Sequence, residues 1–167
     1  MSDLCIGLFG TCGGTTFRQQ MFIPRYDRLG MSYYNPQNDF WKPEDAITEA
    51  EHLANDRIIL FPITNETYGL GSLGEVGFSI LNAIKLDDRR HFIVMIDNGV
   101  NTTLPFEWET KLVTESIRMR ALVKQHIKKL NYSNIYCVST LDEMLELSII
   151  LYKNDVRIHN YLGKINV

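Results

Sequence analysis

Residues 58–84 constrain the fold of this chain more than any other stretch. An apolar run at 58–63 breaks into a polar, glycine-rich segment with Tyr68, Gly71 and Ser72, and a second apolar run follows with one acid, Glu75, at its entrance. This order predicts a buried strand, a loop and a buried helix. Loops at the carboxyl edge of an open α/β sheet bind ligands, so an acid starting the next helix is placed for chemistry.

The rest of the chain repeats this alternation. Further strands are predicted by four apolar runs, at residues 4–9, 31–34, 91–97 and 135–138. Helices are predicted between and after them, at residues 17–27, 43–55, 108–130 and 140–153. We expect the first helix to end near Pro24, a capping box at Thr140-x-x-Glu143 to start the last one, and the tail at 154–167 to cross a neighbour or fray.

Five short strands alternating with helices predict an α/β fold. The natural arrangement is a flavodoxin-like three-layer α/β/α sandwich with a five-stranded parallel sheet. No repeat or linker-like change of composition divides the chain, so we expect one domain over residues 1–167.

Composition narrows the class of partner. The chain has 167 residues and a net charge of −3, which argues against sequence-independent binding of nucleic acid and favours a small-molecule ligand. No apolar run approaches the length of a membrane span. The first ten residues carry an acid where a signal peptide carries positive charge, so we expect a cytoplasmic protein without a membrane partner.

Cysteine and histidine positions contain no metal motif. Cys5, Cys12 and Cys137 form an odd set without C-x-x-C or Cys/His spacing, and the four histidines have no ligand spacing. We therefore expect free thiols, no metal and no cofactor.

Glu75 has two interpretations that can coexist. In the first, Ser72-x-x-Glu75 is a capping box, in which serine and glutamate satisfy amides at the start of the helix. In the second, Glu75 lies in the first helical turn, where the helix dipole keeps it ionised and competent as a nucleophile. Gly74 and Gly77 flank the acid, and because glycine is costly inside a helix they indicate close approach of the sheet or a ligand.

A glycine-rich turn, GTCGGTT at residues 10–16, follows the first predicted strand. It lacks the lysine of a P-loop and does not fit the dinucleotide-binding pattern. Its amides and the hydroxyls of Thr11, Thr15 and Thr16 are candidates to hold a phosphate or sugar, with Arg18 nearby; the alternative is a plain tight turn. Cys12 lies in this turn, but no histidine close in the sequence would activate it as a nucleophile.

The helix predicted at residues 43–55 carries several acids. Asp45 and Glu49 share a face, whereas Glu51 is rotated by about 200° from Glu49. Only one of these faces can look into a ligand cleft.

Three motifs together resemble the nucleoside 2-deoxyribosyltransferase-like superfamily: GTCGGTTFR, YYNPQNDFW, and the block NDRIILFPIT…YGLGSLGEVG. The resemblance covers roughly the first hundred residues. It implies that Glu75 attacks the anomeric carbon of a deoxyribonucleoside while an acid on the preceding helix protonates the departing base. It also implies a homo-oligomer, since family members complete each site with a neighbouring subunit.

The chain departs from the family pattern at two positions. Many members carry a tyrosine after the first strand, where this chain has Gly10 and Thr11, so that orienting role falls to Tyr68, Tyr34 or a threonine. The helix aspartate of the family falls near Thr48, which leaves Glu49, Asp45 or Glu51 as substitutes. Of these acids, we favour Glu49.

The expected function is cleavage or transfer of an N-glycosidic bond in a deoxyribonucleoside or its 5′-monophosphate. The alternatives are a nicotinamide-nucleotide glycohydrolase and a non-catalytic nucleotide-binding or sensing module. The predicted catalytic residues are Glu75, Glu49 and Tyr68. The predicted substrate-binding residues are Gly10, Thr11, Cys12, Gly13, Thr15, Arg18, Asn35, Phe40, Trp41, Gly71 and Ser72.

Overall fold

The computed structural model describes residues 3–38, 40, 42–76, 89–101, 109–130 and 132–162. Their strands are β1 (Asp3–Leu8), β2 (Tyr33–Tyr34), β3 (Asp56–Ile63), β4 (His91–Ile96) and β5 (Ile135–Val138). These five strands form one sheet in the order β2-β1-β3-β4-β5, and every neighbouring pair is parallel.

Helices connect the strands. They are α1 (Ile23–Leu29), preceded by a π-helical turn at Arg18–Phe22, and then α2 (Asp45–Asn55), α3 (Leu70–Glu75), α4 (Glu109–Leu130) and α5 (Leu141–Leu162). The second half of the helix predicted up to residue 84, from residue 77 onward, lies outside the described residues.

Side chains on the two faces of the sheet form two separate cores. Ile58 and its neighbours on one face pack against α1 and α5. Ile59 and Phe61, on the other face, pack with Leu73 of α3 and Ile127 of α4. Because β3 is covered on both faces, it is apolar along almost its whole length.

The prediction of a flavodoxin-like α/β sandwich with a five-stranded parallel sheet is therefore confirmed. In this strand order β1 connects to β2 on one side and β3 connects to β4 on the other, so a crevice opens between the carboxyl ends of β1 and β3. Ligands bind at such a switch point in sheets of this type.

The first helix does not end near Pro24. Pro24 occupies the first turn of α1, where its missing N–H is no loss, and the helix continues to Leu29. Gly30 then ends it in the left-handed conformation, with φ 62°. The prediction is wrong because this proline lies in the first turn of a helix and does not end one.

The last helix also runs further than expected. Residues 154–162 are helical, and Asp155 is buried there, where it accepts a hydrogen bond from Arg57 Nε at 2.9 Å. Thr140 Oγ1 caps the Glu143 amide at 3.1 Å, as predicted, but the Glu143 carboxylate bonds the Ser139 amide instead of that of Thr140. Among the described helices, none is long and apolar enough to span a bilayer.

Candidate active site

An open cleft of about 400 Å³ lies at the carboxyl ends of β1 and β3. The loops after β1 and β2, helix α2 and helix α3 all contribute walls. The lining residues are Phe9, Gly10, Cys12, Gly13, Gly14, Pro36, Gln37, Asn38, Glu49, Gly71, Ser72 and Glu75. Its size and its place at the switch point of the sheet both suit a small-molecule ligand.

Seven of the thirteen predicted site residues that the structure describes meet in this cleft. They are Gly10, Cys12, Gly13, Glu49, Gly71, Ser72 and Glu75. From the loop after β2 the sequence predicts Asn35, Phe40 and Trp41, whereas the described lining residues of this loop are residues 36–38. Gln37 was missed: its Nε2 donates to the carbonyls of Cys12 and Thr15, each at 3.1 Å, and so joins the two loops.

The other predicted residues lie outside the lining or outside the described chain. Phe40 is 83% exposed, and Asn35 uses its Oδ1 to accept the Gln37 amide at 3.1 Å. Tyr68 is half-buried, with its carbonyl accepting a hydrogen bond from Ser116 of α4 at 2.6 Å. Trp41 falls outside the described residues.

Backbone geometry forms the glycine-rich loop. Gly10 has φ 89°, and a Cβ there would collide with the Pro62 carbonyl, which accepts the Thr11 amide at 3.0 Å. Thr11 and Thr15 are buried, and the Thr15 hydroxyl donates to the Thr11 carbonyl at 2.9 Å. These two hydroxyls face inward, which corrects their assignment as ligand contacts. Gly13 remains exposed at the cleft.

Arg18 holds this loop from beneath. It is fully buried, and its guanidinium donates to the carbonyls of Leu8, Phe9 and Thr11 at 2.9, 2.7 and 2.8 Å and to Thr15 Oγ1 at 3.2 Å. The group is thus committed to internal acceptors. This corrects the prediction that Arg18 contacts substrate, and assigns it a positioning role.

The local structure at Glu75 contradicts both arguments made from Ser72-x-x-Glu75. Helix α3 begins at Leu70 with Gly69 as its N-cap, and the Leu73 amide makes the first helical bond to the Gly69 carbonyl at 2.8 Å. Ser72 is therefore inside the helix, so the predicted capping box is absent. Glu75 is the sixth helical residue, too far along for the helix dipole to keep it ionised.

The electrostatics of the cleft centre on two carboxylates and a thiol. Partial desolvation in the cleft, and then the Glu49 carboxylate, raise the pKa of Glu75 above its ordinary value. Burial raises the pKa of Cys12 as well; Arg18 opposes this, and both glutamates add to it. A thiol whose pKa is raised stays protonated at neutral pH, so Cys12 is a poor nucleophile.

The acids of α2 also act on Tyr34. Burial, followed by the carboxylates of Glu49 and Asp45, raises the pKa of Tyr34 to about 12. Its hydroxyl therefore stays protonated near Glu49. The orienting role stays a prediction for both Tyr34 and Tyr68.

A second depression of about 500 Å³ lies further along the same sheet edge, between the loops after β3 and β4 and the start of α5. Its acids are engaged with nearby groups. Asp97 accepts the Asn65 amide at 2.8 Å, and Glu66 accepts the Thr64 hydroxyl at 3.3 Å. The first cleft is the better candidate for chemistry because it lies at the switch point of the sheet and is lined by acids from two different helices.

Replacing Glu75 with glutamine should raise the melting temperature at neutral pH. The pKa of Glu75 is higher in the folded protein than in the unfolded chain. Ionised Glu75 therefore lowers the stability of the fold at any pH above the folded pKa, and this effect is absent below the unfolded pKa of about 4.3. We expect Glu75→Gln to melt above wild type at pH 7, with the difference closing as the pH falls. Calorimetry tests this, with exposed Glu146→Gln as the control; a lower melting temperature at pH 7 contradicts it.

Comparisons with known proteins add no assignment. No family model matches the chain, and no curated protein sequence matches it. The residues of the cleft and the motifs in the sequence are therefore the only basis on which a function is proposed.

Proposed function

We propose that this protein cleaves or transfers the N-glycosidic bond of a deoxyribonucleoside or its 5′-monophosphate, with Glu75 as nucleophile and Glu49 as acid. The observation that supports this most directly is that both carboxyl groups line one cleft and that the charge of Glu49 reaches Glu75. They come from different elements, α3 and α2, so a substrate can lie between them.

The proposed reaction has two steps. In the first, the bond from C1′ to the base nitrogen breaks, a Glu75 oxygen bonds C1′, and Glu49 gives its proton to the departing base. In the second, water or another base attacks C1′, the Glu75 ester breaks, and Glu49 takes up a proton. A carboxylate beside C1′ also stabilises the positive charge of the oxocarbenium-like transition state.

The mechanism needs an ionised nucleophile and a protonated acid. Desolvation and the charge of Glu49 raise the pKa of Glu75, so turnover requires a pH above that raised pKa. The assignment of Glu75 as nucleophile and Glu49 as acid rests on the resemblance of the motifs to the family, and not on the electrostatics of the cleft.

The exposed part of the glycine-rich loop is the candidate site for the sugar or 5′-phosphate. Gly13 and Gly14 both line the cleft, and no described residue would crowd an atom added at either one. With Arg18 committed to internal carbonyls, a phosphate there would be held by backbone amides. We therefore expect 5′-monophosphates and free nucleosides to differ only modestly as substrates.

The test is incubation of the protein with deoxyribonucleosides, their 5′-monophosphates, ribonucleosides and nicotinamide nucleotides, with and without an acceptor base. Chromatography separates base release from base exchange. The proposal expects release or exchange from the deoxy compounds. Turnover of nicotinamide nucleotides alone favours the glycohydrolase alternative. Ligand binding by calorimetry without any turnover favours the sensing module, and both results contradict the proposal.

A further inference from the structure

A cluster of three side chains lies near the amino-terminal edge of the sheet, away from the cleft. Cys5 comes from β1, His52 from the last turn of α2 and Asp56 from the start of β3. One potential ligand atom of each lies within 4.8 Å of the other two. His52 Nδ1 and Asp56 Oδ1 are 3.0 Å apart.

The carboxylate of Asp56 points to a missing partner. Asp56 is 1% exposed, and its Oδ2 makes no hydrogen bond within the part of the chain that the structure describes. A buried carboxylate oxygen without a partner is costly. Gly7 of β1 leaves this oxygen room, since a Cβ there would lie 2.9 Å from it. Arg90, a nearby cation, donates to the Asp56 main-chain carbonyl at 2.9 Å.

We propose that Cys5, His52 and Asp56 bind a zinc ion. Sulfur, imidazole nitrogen and carboxylate oxygen are the three donor types that zinc accepts, whereas magnesium and calcium favour oxygen alone. On binding, the thiol loses its proton to solvent and the thiolate bonds the metal. A surface depression beside Asp56, also lined by Glu51 and Asn55, leaves the fourth position to water.

The spacing of the ligands suits this ion after a small contraction. Tetrahedral zinc with ordinary bond lengths places its ligand atoms roughly 3.3–3.6 Å apart. The potential ligand atoms all lie within 4.8 Å of one another, so the side chains must move by at most about 1 Å to reach this spacing. The sequence predicts no metal because the three ligands belong to three elements and their spacing in the chain matches no motif.

A metal here would connect β1, α2 and β3. The His52 ring stacks on Tyr34, with centroids 3.7 Å apart, and Glu49 lies three residues before His52 on the same helix. The ion would thus fix the helix that carries Glu49 into the cleft. The site itself does not depend on the proposed reaction.

Cobalt is the probe for this site. Protein treated with chelator, freed of it and titrated with Co²⁺ should show the visible bands of a tetrahedral site and a thiolate-to-cobalt charge-transfer band, saturating at one equivalent and lost on adding Zn²⁺. Cys5→Ser should remove the charge-transfer band. His52→Phe, which keeps a ring on Tyr34, should weaken Co²⁺ binding by more than the roughly 10–100-fold that loss of an outer-shell partner costs.

Controls use the other thiols. Cys12→Ser and the exposed Cys137→Ser should keep the band and the affinity of wild type. If wild type gives no charge-transfer band at one equivalent, or if the band follows Cys137 instead of Cys5, the site is overturned. Should Cys5→Ser fail to fold, His52→Phe decides alone, because its partly exposed position tolerates the change and unaltered Co²⁺ affinity in it contradicts the proposal.

Discussion

In the proposed reaction, Glu75→Gln should lower kcat for deoxyribonucleosides by at least about 10³-fold, because the amide cannot form the glycosyl-enzyme ester. The backbone at position 75 is ordinary helix, and glutamine keeps the shape of the side chain. The variant should therefore fold and still bind substrate. Chromatographic assay of base release under saturating substrate measures kcat, and Glu146→Gln, on a distant helix, should stay within about twofold of wild type.

Glu49→Gln separates the roles of the two acids. Loss of a general acid costs about 10²–10⁴-fold in rate, and substrates whose bases leave without protonation should recover most of it. Because the Glu49 carboxylate contributes to the raised pKa of Glu75, its removal should also move the acid side of the pH–rate profile to lower pH.

Wild-type activity in Glu75→Gln would contradict the nucleophile assignment. An unmoved acid limb in Glu49→Gln would contradict the coupling.

The fold could be predicted because it follows from local periodicity. The buried strands β3 and β4 are continuous apolar runs, and a parallel sheet covered on both faces requires such runs. Parallel order then places the loop after β1, the acid of α2 and the acid of α3 at one edge. This is why an acid of α2 and Glu75 can share a cleft although they are far apart in the sequence; the choice of Glu49 among the acids of α2 comes from the family resemblance.

The start of α3 could not be predicted from a four-residue pattern. Ser72-x-x-Glu75 satisfies the capping rule, but the chain already turns at Gly69, which takes φ 64° and begins the helix earlier. Gly69 also packs against the guanidinium of Arg120, which belongs to α4. This contact cannot be predicted from the sequence near residue 69. Tertiary packing therefore shifted the helix start by several residues.

The buried position of Arg18 could not be predicted from the sequence either. A cation beside a glycine-rich turn is typical of a phosphate site, and only the folded chain places it beneath the turn. The distinction depends on the direction in which the π-helical turn at Arg18–Phe22 leaves the loop. Sequence patterns carry no information on that direction.

Arg18→Met should lower the free energy of unfolding by about 3–5 kcal/mol. Methionine fills much of the same volume but leaves the buried carbonyls of Leu8, Phe9 and Thr11 without their charged donor. For a chain of this size the loss corresponds to a fall in melting temperature of about 6–20 °C. Urea denaturation followed by circular dichroism measures the free energy.

Two matched variants separate the hydrogen bonds from the charge. Arg28→Met removes a cation from an exposed position of α1 and should cost less than about 1 kcal/mol. Arg18→Lys keeps the charge but cannot reach several carbonyls at once, so it should fall between Arg18→Met and wild type. If Arg18→Met unfolds at the same urea concentration as wild type, the guanidinium does not hold the loop, and Arg18 becomes available again as a ligand contact.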